Sequence, residues 1–160
     1  MATLEQAILL REQGKAEDAI KSMQQIALRE PDNAQVWYQL AWAHDSLGLE
    51  REAVPYYEKA LNLGLVGEDR AGAMLGLGST YRTLGQYEEA KAWLGRGIDE
   101  FPERGEFEVF YAMVLHNLGE HAEAMKRLLL MLADTSSNAG IQAYNRAIRF
   151  YSEQLDRVWE

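Results

Sequence analysis

The sequence predicts an all-α protein, a solenoid of stacked antiparallel helix pairs, and three observations carry that prediction. One short phrase occurs four times: EQGKAEDA at 12–19, DSLGLEREA at 45–53, RTLGQYEEA at 82–90 and HNLGEHAEA at 116–124. Its glycines, Gly14, Gly48, Gly85 and Gly119, are spaced by 34, 37 and 34 residues, a period typical of repeat architectures with one three-residue insertion. Apolar residues recur at helical spacing on both sides of each glycine, as in Trp37, Leu40 and Ala41 before Gly48 and Ala53, Tyr57 and Ala60 after it.

Each unit therefore reads as two helices. The glycine suits the joint because a helix commonly ends on a residue at positive φ, which glycine adopts without steric penalty. Alanine at positions 19, 53, 90 and 124 puts the smallest side chain where the second helix crosses the first. Thr3 with Gln6 makes a capping box for a short opening helix. Pro31 and Pro102 each close a second helix, after which Asp32 or Asn33 can cap the next one. Pro55 breaks the pattern inside a second helix and predicts a kink or a late start there. A last helix over 138–157 carries the apolar stripe Ile141, Tyr144, Ile148, Tyr151 and Leu155, with Gln142, Asn145, Arg149, Glu153 and Asp156 as polar surface; it reads as a cap that ends the stack. The expected organisation is a single domain over 1–160, with repeats at about 1–33, 34–67, 71–104 and 105–137 and nine helices in all.

Composition narrows the function. With 160 residues, 48% of them hydrophobic, the chain can bury a continuous core. Sixteen basic against twenty-five acidic residues give a net charge of −9, which repels a phosphate backbone, so nucleic acid is not an expected partner. The absence of cysteine excludes disulfides, thiolate metal sites and cysteine nucleophiles and fits a reducing compartment. No basic start followed by an apolar stretch marks a signal peptide, so cytoplasmic is the expected location. The longest purely apolar run, 128–133, is far short of the roughly 20 residues that span a bilayer, so no membrane is expected.

The pattern Trp37, Leu40, Gly48, Ala53, Tyr57, Ala60 resembles the tetratricopeptide-repeat (TPR) consensus nearly position for position. The third unit repeats it with Leu77, Gly78, Tyr81, Gly85, Ala90 and Pro102, and the fourth with Tyr111, Ala112, Leu115, Gly119 and Ala124. The first keeps Gly14, Ala19 and Pro31 behind a truncated leading helix, and the second ends in Gly64 and Leu65 where the family prefers proline. The resemblance implies a right-handed superhelical solenoid of four repeats plus a C-terminal capping helix, whose first helices line a groove that takes up extended or helical peptides. Some members of the family grip a terminal carboxylate with lysine, asparagine and arginine. The matching positions here, Leu4, Ile8, Gln39, Gly72 and Gly76, lack that clamp, so binding through a partner's C-terminus is not expected.

Opposite the packing stripe, the second unit presents Gln35, Tyr38, Gln39, Trp42 and Asp45. The third presents Gly72, Leu75, Gly76, Ser79 and Arg82, and the fourth Glu106, Val109, Phe110, Met113 and Asn117. Trp42 stands out because the consensus tryptophan is Trp37, and exposed aromatics are frequent binding anchors. Tyr38, Trp42, Leu75, Val109, Phe110 and Met113 are the expected apolar contacts to a partner, and Gln35, Gln39, Ser79, Arg82 and Asn117 the polar ones. The competing reading packs Tyr38, Trp42, Phe110 and Met113 against neighbouring helices. The glycines of GAMLGLGS at 72–79 each lower helix propensity by roughly 1 kcal/mol relative to alanine, which marks a close approach by a ligand or a neighbouring helix.

No chemistry-bearing constellation is found. His44 occupies a packing position, and the spacing of His116 and His121 is not that of a helical zinc motif. The glycines form no phosphate loop or dinucleotide fingerprint, and the acidic pairs Glu88–Glu89 and Asp99–Glu100 read as solvated faces. Catalytic residues, cofactors and metals are accordingly not expected. The sequence points to a non-catalytic scaffold or adaptor that binds a segment of another protein, with self-association through the edge near Trp159 or an uncovered apolar end as the alternative.

Overall fold

A computed structural model describes residues 1–160 as ten helices and no strand. They are α1 (Leu4–Glu12), α2 (Ala16–Arg29), α3 (Ala34–Asp45), α4 (Glu50–Asn62), α5 (Gly67–Thr83), α6 (Tyr87–Glu100), α7 (Gly105–Asn117), α8 (His121–Thr135), α9 (Ala139–Ala143) and α10 (Asn145–Ser152). No helix is long and apolar enough to cross a membrane. The chain divides into two compact units, Met1–Trp93 and Leu94–Glu160, with the division inside α6.

In the first unit α1 packs on α2, α2 on α3, α3 on α4 and α4 on α5. Thr3 opens α1 through the capping box: the Gln6 amide donates to its hydroxyl at 3.3 Å, and its own amide donates to the Gln6 side chain at 3.1 Å. Asn33 caps α3 by accepting the Gln35 amide at 3.1 Å. Gly14, Gly48 and Gly85 all take the positive φ that turns the chain back after a leading helix. Ala19 and Ala53 are fully buried at the crossings, and Ala19 shares a core with Ala7, Met23, Ile26, Val36, Leu40 and Ala43. Trp37 belongs to this architecture: its indole N–H donates to the Pro31 carbonyl at 2.8 Å, and its ring stacks on Tyr56. His44 is buried with Nδ1 2.7 Å from the Leu40 carbonyl, in keeping with a packing role.

The three inserted residues lengthen α5, which runs for 17 residues where α3 runs for 12. In place of a proline, Gly64 and Gly67, both at positive φ, flank the buried Leu65. Helix α4 begins at Glu50, ahead of Pro55, so the late start is not found. Pro55 is exposed and has no N–H to offer the carbonyl one turn back.

In the second unit α7 packs on α8, and α10 on α8 and α9. Phe107 is fully buried, with its ring against Gly97 and stacked on Phe101. The expected single helix over 138–157 is two short ones, so there are ten helices, and the second stops at Ser152. The break has a polar cause. Asn145 donates to the Ala133 carbonyl at 2.6 Å and Gln142 donates to the Ser136 carbonyl at 2.5 Å, so side chains expected to face solvent satisfy backbone oxygens at the end of α8. The apolar stripe is buried only in part: Ile141 and Ile148 are half-buried, whereas Tyr144, Tyr151 and Leu155 are exposed.

The glycines inside α5 answer the question that their sequence raises. A Cβ at Gly72 would lie 2.2 Å from the Tyr38 hydroxyl, and one at Gly76 would lie 2.6 Å from the Tyr57 ring. Neighbouring tyrosines, from α3 and α4, make the close approach. Gly76→Ala gains helix propensity of about 1 kcal/mol, but overpacking costs about 1–3 and displacing the Tyr57 hydroxyl about 1 more. The expected outcome is a net loss of roughly 1–3 kcal/mol in urea unfolding; unchanged or increased stability would mean that the ring has room to move.

Candidate functional site

The leading helices α1, α3 and α5 contact one another in the first unit, α1 with α3 and α3 with α5. Tyr38 is 7% exposed, its hydroxyl seated on Gly72 and its ring 5.9 Å from Trp42 and 6.3 Å from Tyr57. Gln35 donates to the Asp69 carboxylate at 2.8 Å, tying α3 to the first turn of α5. Trp42, one turn beyond Tyr38, remains 42% exposed. The Arg11 guanidinium of α1 stacks over the Trp42 ring at 3.8 Å, which holds the indole in place through cation–π attraction. Arg11 Nε and Gln39 Oε1 are enclosed and have no hydrogen-bond partner, leaving a donor and an acceptor unmatched by the chain's own groups. On α5, Leu75, Ser79 and Arg82 are half-buried.

Beneath this face Asp45 joins three helices. Its carboxylate accepts the Tyr57 hydroxyl from α4 at 3.0 Å and lies 3.0 Å from Thr80 Oγ1 of α5. Thr80 Oγ1 is also 2.7 Å from the Gly76 carbonyl, and its single proton serves one acceptor at a time. Burial raises the Asp45 pKa above the usual carboxylate range; the two hydroxyl donors pull it back and nearby Glu50 adds to the rise. Burial and the Asp45 carboxylate together keep the Tyr57 phenol protonated. On the α4–α5 side, burial and a hydrogen bond to Glu58 push Tyr81 up to about 12.

The second unit holds the remaining candidates on α7. Val109 and Phe110 are half-buried, Met113 is 37% exposed, and Asn117 is half-buried one turn beyond it. Glu106 pairs with Arg104 at 2.9 Å. Arg127 of α8 lies over the Tyr111 ring at 4.7 Å and pairs with Glu108 and Glu123. Gln35, Tyr38, Gln39, Trp42, Leu75, Ser79 and Arg82 thus share the first unit, and Val109, Phe110, Met113 and Asn117 one helix of the second.

Arg11 is the residue that sequence reasoning overlooked. A signal for it exists: Arg11, Asp45, Arg82 and His116 each stand three residues before the turn glycine of their repeat, so every unit places a titratable group at that register.

Residues 34–155 match the family described as Tetratrico peptide repeat, and residues 2–33 match a second described as Tetratricopeptide repeat. No curated protein sequence matches. Among solved structures, YrrB, described as a TPR protein with an unusual peptide-binding site, is 21% identical, with 96% of this chain and 77% of YrrB covered at a TM-score of 0.74. MamA is 17% identical over 98% of this chain and 76% of its own, at 0.72. A putative kinesin light chain with TPR-like repeats from Podosopora anserina is 19% identical over 94% and 83%, at 0.68. At these identities the likeness is one of fold.

The raised Asp45 pKa has a signed consequence. Folding favours the protonated carboxyl, so this group's contribution to stability is largest at low pH and is lost as pH rises through its folded pKa. Asp45→Asn stays neutral and can still accept both hydroxyls. It is expected to raise the urea midpoint at pH 7, with the gain vanishing below about pH 4, where carboxyls are protonated in the unfolded chain as well. A midpoint lower than that of the parent at pH 7 would show that hydrogen bonds to the ionised carboxylate outweigh its desolvation.

Proposed function

Because this chain belongs to the tetratricopeptide-repeat family, we propose that it is a non-catalytic binding module whose α1–α3–α5 face takes up a segment of a partner polypeptide. The observation that carries this reading is Trp42: a large aromatic, stacked by Arg11 and braced by Tyr38, that keeps much of its surface in water. Burying an aromatic side chain is among the largest single contributions an interface can make, and a ring already held in one orientation loses little further entropy on binding. Tyr38 supports the ring from within rather than touching the ligand. Leu75 extends the apolar contact on α5, and Gln39, Ser79 and Arg82 supply polar contacts. Arg11 Nε–H and Gln39 Oε1 add, beside the ring, a donor and an acceptor that the chain's own groups leave unmatched. On α7, Val109, Phe110, Met113 and Asn117 form a second contact strip. YrrB has a peptide-binding site by its own description, and the same general use is proposed here without carrying over its residues.

A second reading has its own observation. Phe150, Tyr151, Val158 and Trp159 are exposed near the C-terminus, with Phe150 against both Tyr151 and Trp159. An uncovered aromatic group of this kind favours association between copies.

Peptides selected from a random display library on the intact protein test the first reading. Trp42→Ala, with helicity unchanged by circular dichroism, is expected to weaken the selected peptides by about 2 kcal/mol or more, roughly thirtyfold in Kd. Affinities retained within twofold would place the binding surface elsewhere.

A further inference from the structure

His116 lies in the last turn of α7 and His121 opens α8. On one continuous helix, residues five apart diverge by about 140° around the axis. The turn between them removes that divergence: Gly119 takes φ +81°, its amide donates to the His116 carbonyl at 3.0 Å, and the Glu120 amide donates to the Leu115 carbonyl at 2.8 Å. The imidazoles meet with their Nδ1 atoms 3.1 Å apart and ring planes inclined at 55°. Both side chains are exposed.

Two ring nitrogens at this separation either share one proton or hold a cation between their lone pairs. With imidazole–metal bonds of about 2.0–2.1 Å, a 3.1 Å separation subtends about 95–100° at the metal. That angle is close to the cis angle of a tetragonal centre and somewhat below the tetrahedral value. We propose that His116 and His121 form a bidentate, solvent-open site for a late first-row divalent ion, with Cu(II) the tightest occupant. The donors select this class: imidazole suits copper, nickel and zinc, the chain has no thiolate to favour softer ions, and Cu(II) heads the general affinity order for nitrogen donors. The net charge of −9 raises the local concentration of cations. No group of three or more His, Cys, Asp or Glu surrounds the pair, so the remaining coordination positions fall to water or to groups of another molecule. His44, buried against the Leu40 carbonyl, is not available to contribute.

The test is a Cu(II) titration of the full chain, followed by calorimetry and electron paramagnetic resonance, with His116→Ala, His121→Ala and the double variant alongside. Because both side chains are exposed, all three variants are expected to keep the parent circular dichroism. The parent should bind one equivalent with an axial spectrum showing nitrogen coupling. Each single variant should lose about tenfold or more in affinity, since the second nitrogen binds as an intramolecular ligand. Affinity should also fall as pH is lowered, because ligation requires the deprotonated rings. Copper bound as tightly by the double variant, or no nitrogen-coordinated copper on the parent, would overturn the assignment.

Discussion

An aromatic ring laid directly on a helix backbone, which requires that the helix have no Cβ there, is the contact on which both units depend. In the first unit Tyr38 and Tyr57 occupy Gly72 and Gly76 of α5; in the second, Phe107 occupies Gly97 of α6. Each glycine weakens its own helix by about 1 kcal/mol, and the loss is offset by an aromatic side chain buried at close range. The seats also set positions. With Tyr57 on Gly76, its hydroxyl reaches Asp45, and Asp45 in turn meets Thr80, so α3, α4 and α5 share one polar junction within an apolar stack.

The candidate site follows from those seats. Tyr38, held down on Gly72, provides one contact for Trp42, and Arg11 from α1 provides another. The indole is therefore fixed before any ligand arrives, while the consensus tryptophan, Trp37, spends its ring on Tyr56 and its N–H on the Pro31 carbonyl. Two tryptophans five residues apart on one helix thus divide the work: one holds a helix pair together, the other stays available.

Periodicity made the repeat legible because the same local requirements recur: a positive φ at Gly14, Gly48, Gly85 and Gly119, and small residues where helices cross. Those requirements act within one helix pair, where sequence order and spatial order coincide. What depended on contacts between pairs was not legible. Gly72 and Gly76 announced a close approach without saying by what, since the tyrosines that fill the seats come from α3 and α4. The break at Tyr144 arises because Asn145 and Gln142 reach carbonyls at the end of α8, a demand invisible to a helical wheel. Nothing local singles out Arg11, because its stacking partner lies one repeat away. The spacing of His116 and His121 places two surface residues beside a turn, but only the geometry of that turn brings their rings together.

The central claim, that the α1–α3–α5 face engages a partner polypeptide, is tested most directly by photo-crosslinking. The photoreactive amino acid p-benzoylphenylalanine, a bulky aromatic in its own right, is placed at position 42 and, in a parallel protein, at the exposed Glu52 of α4. The account predicts covalent polypeptide adducts from position 42 and few from position 52. Adducts from position 52 with none from position 42 would contradict it and move the binding surface to the trailing helices.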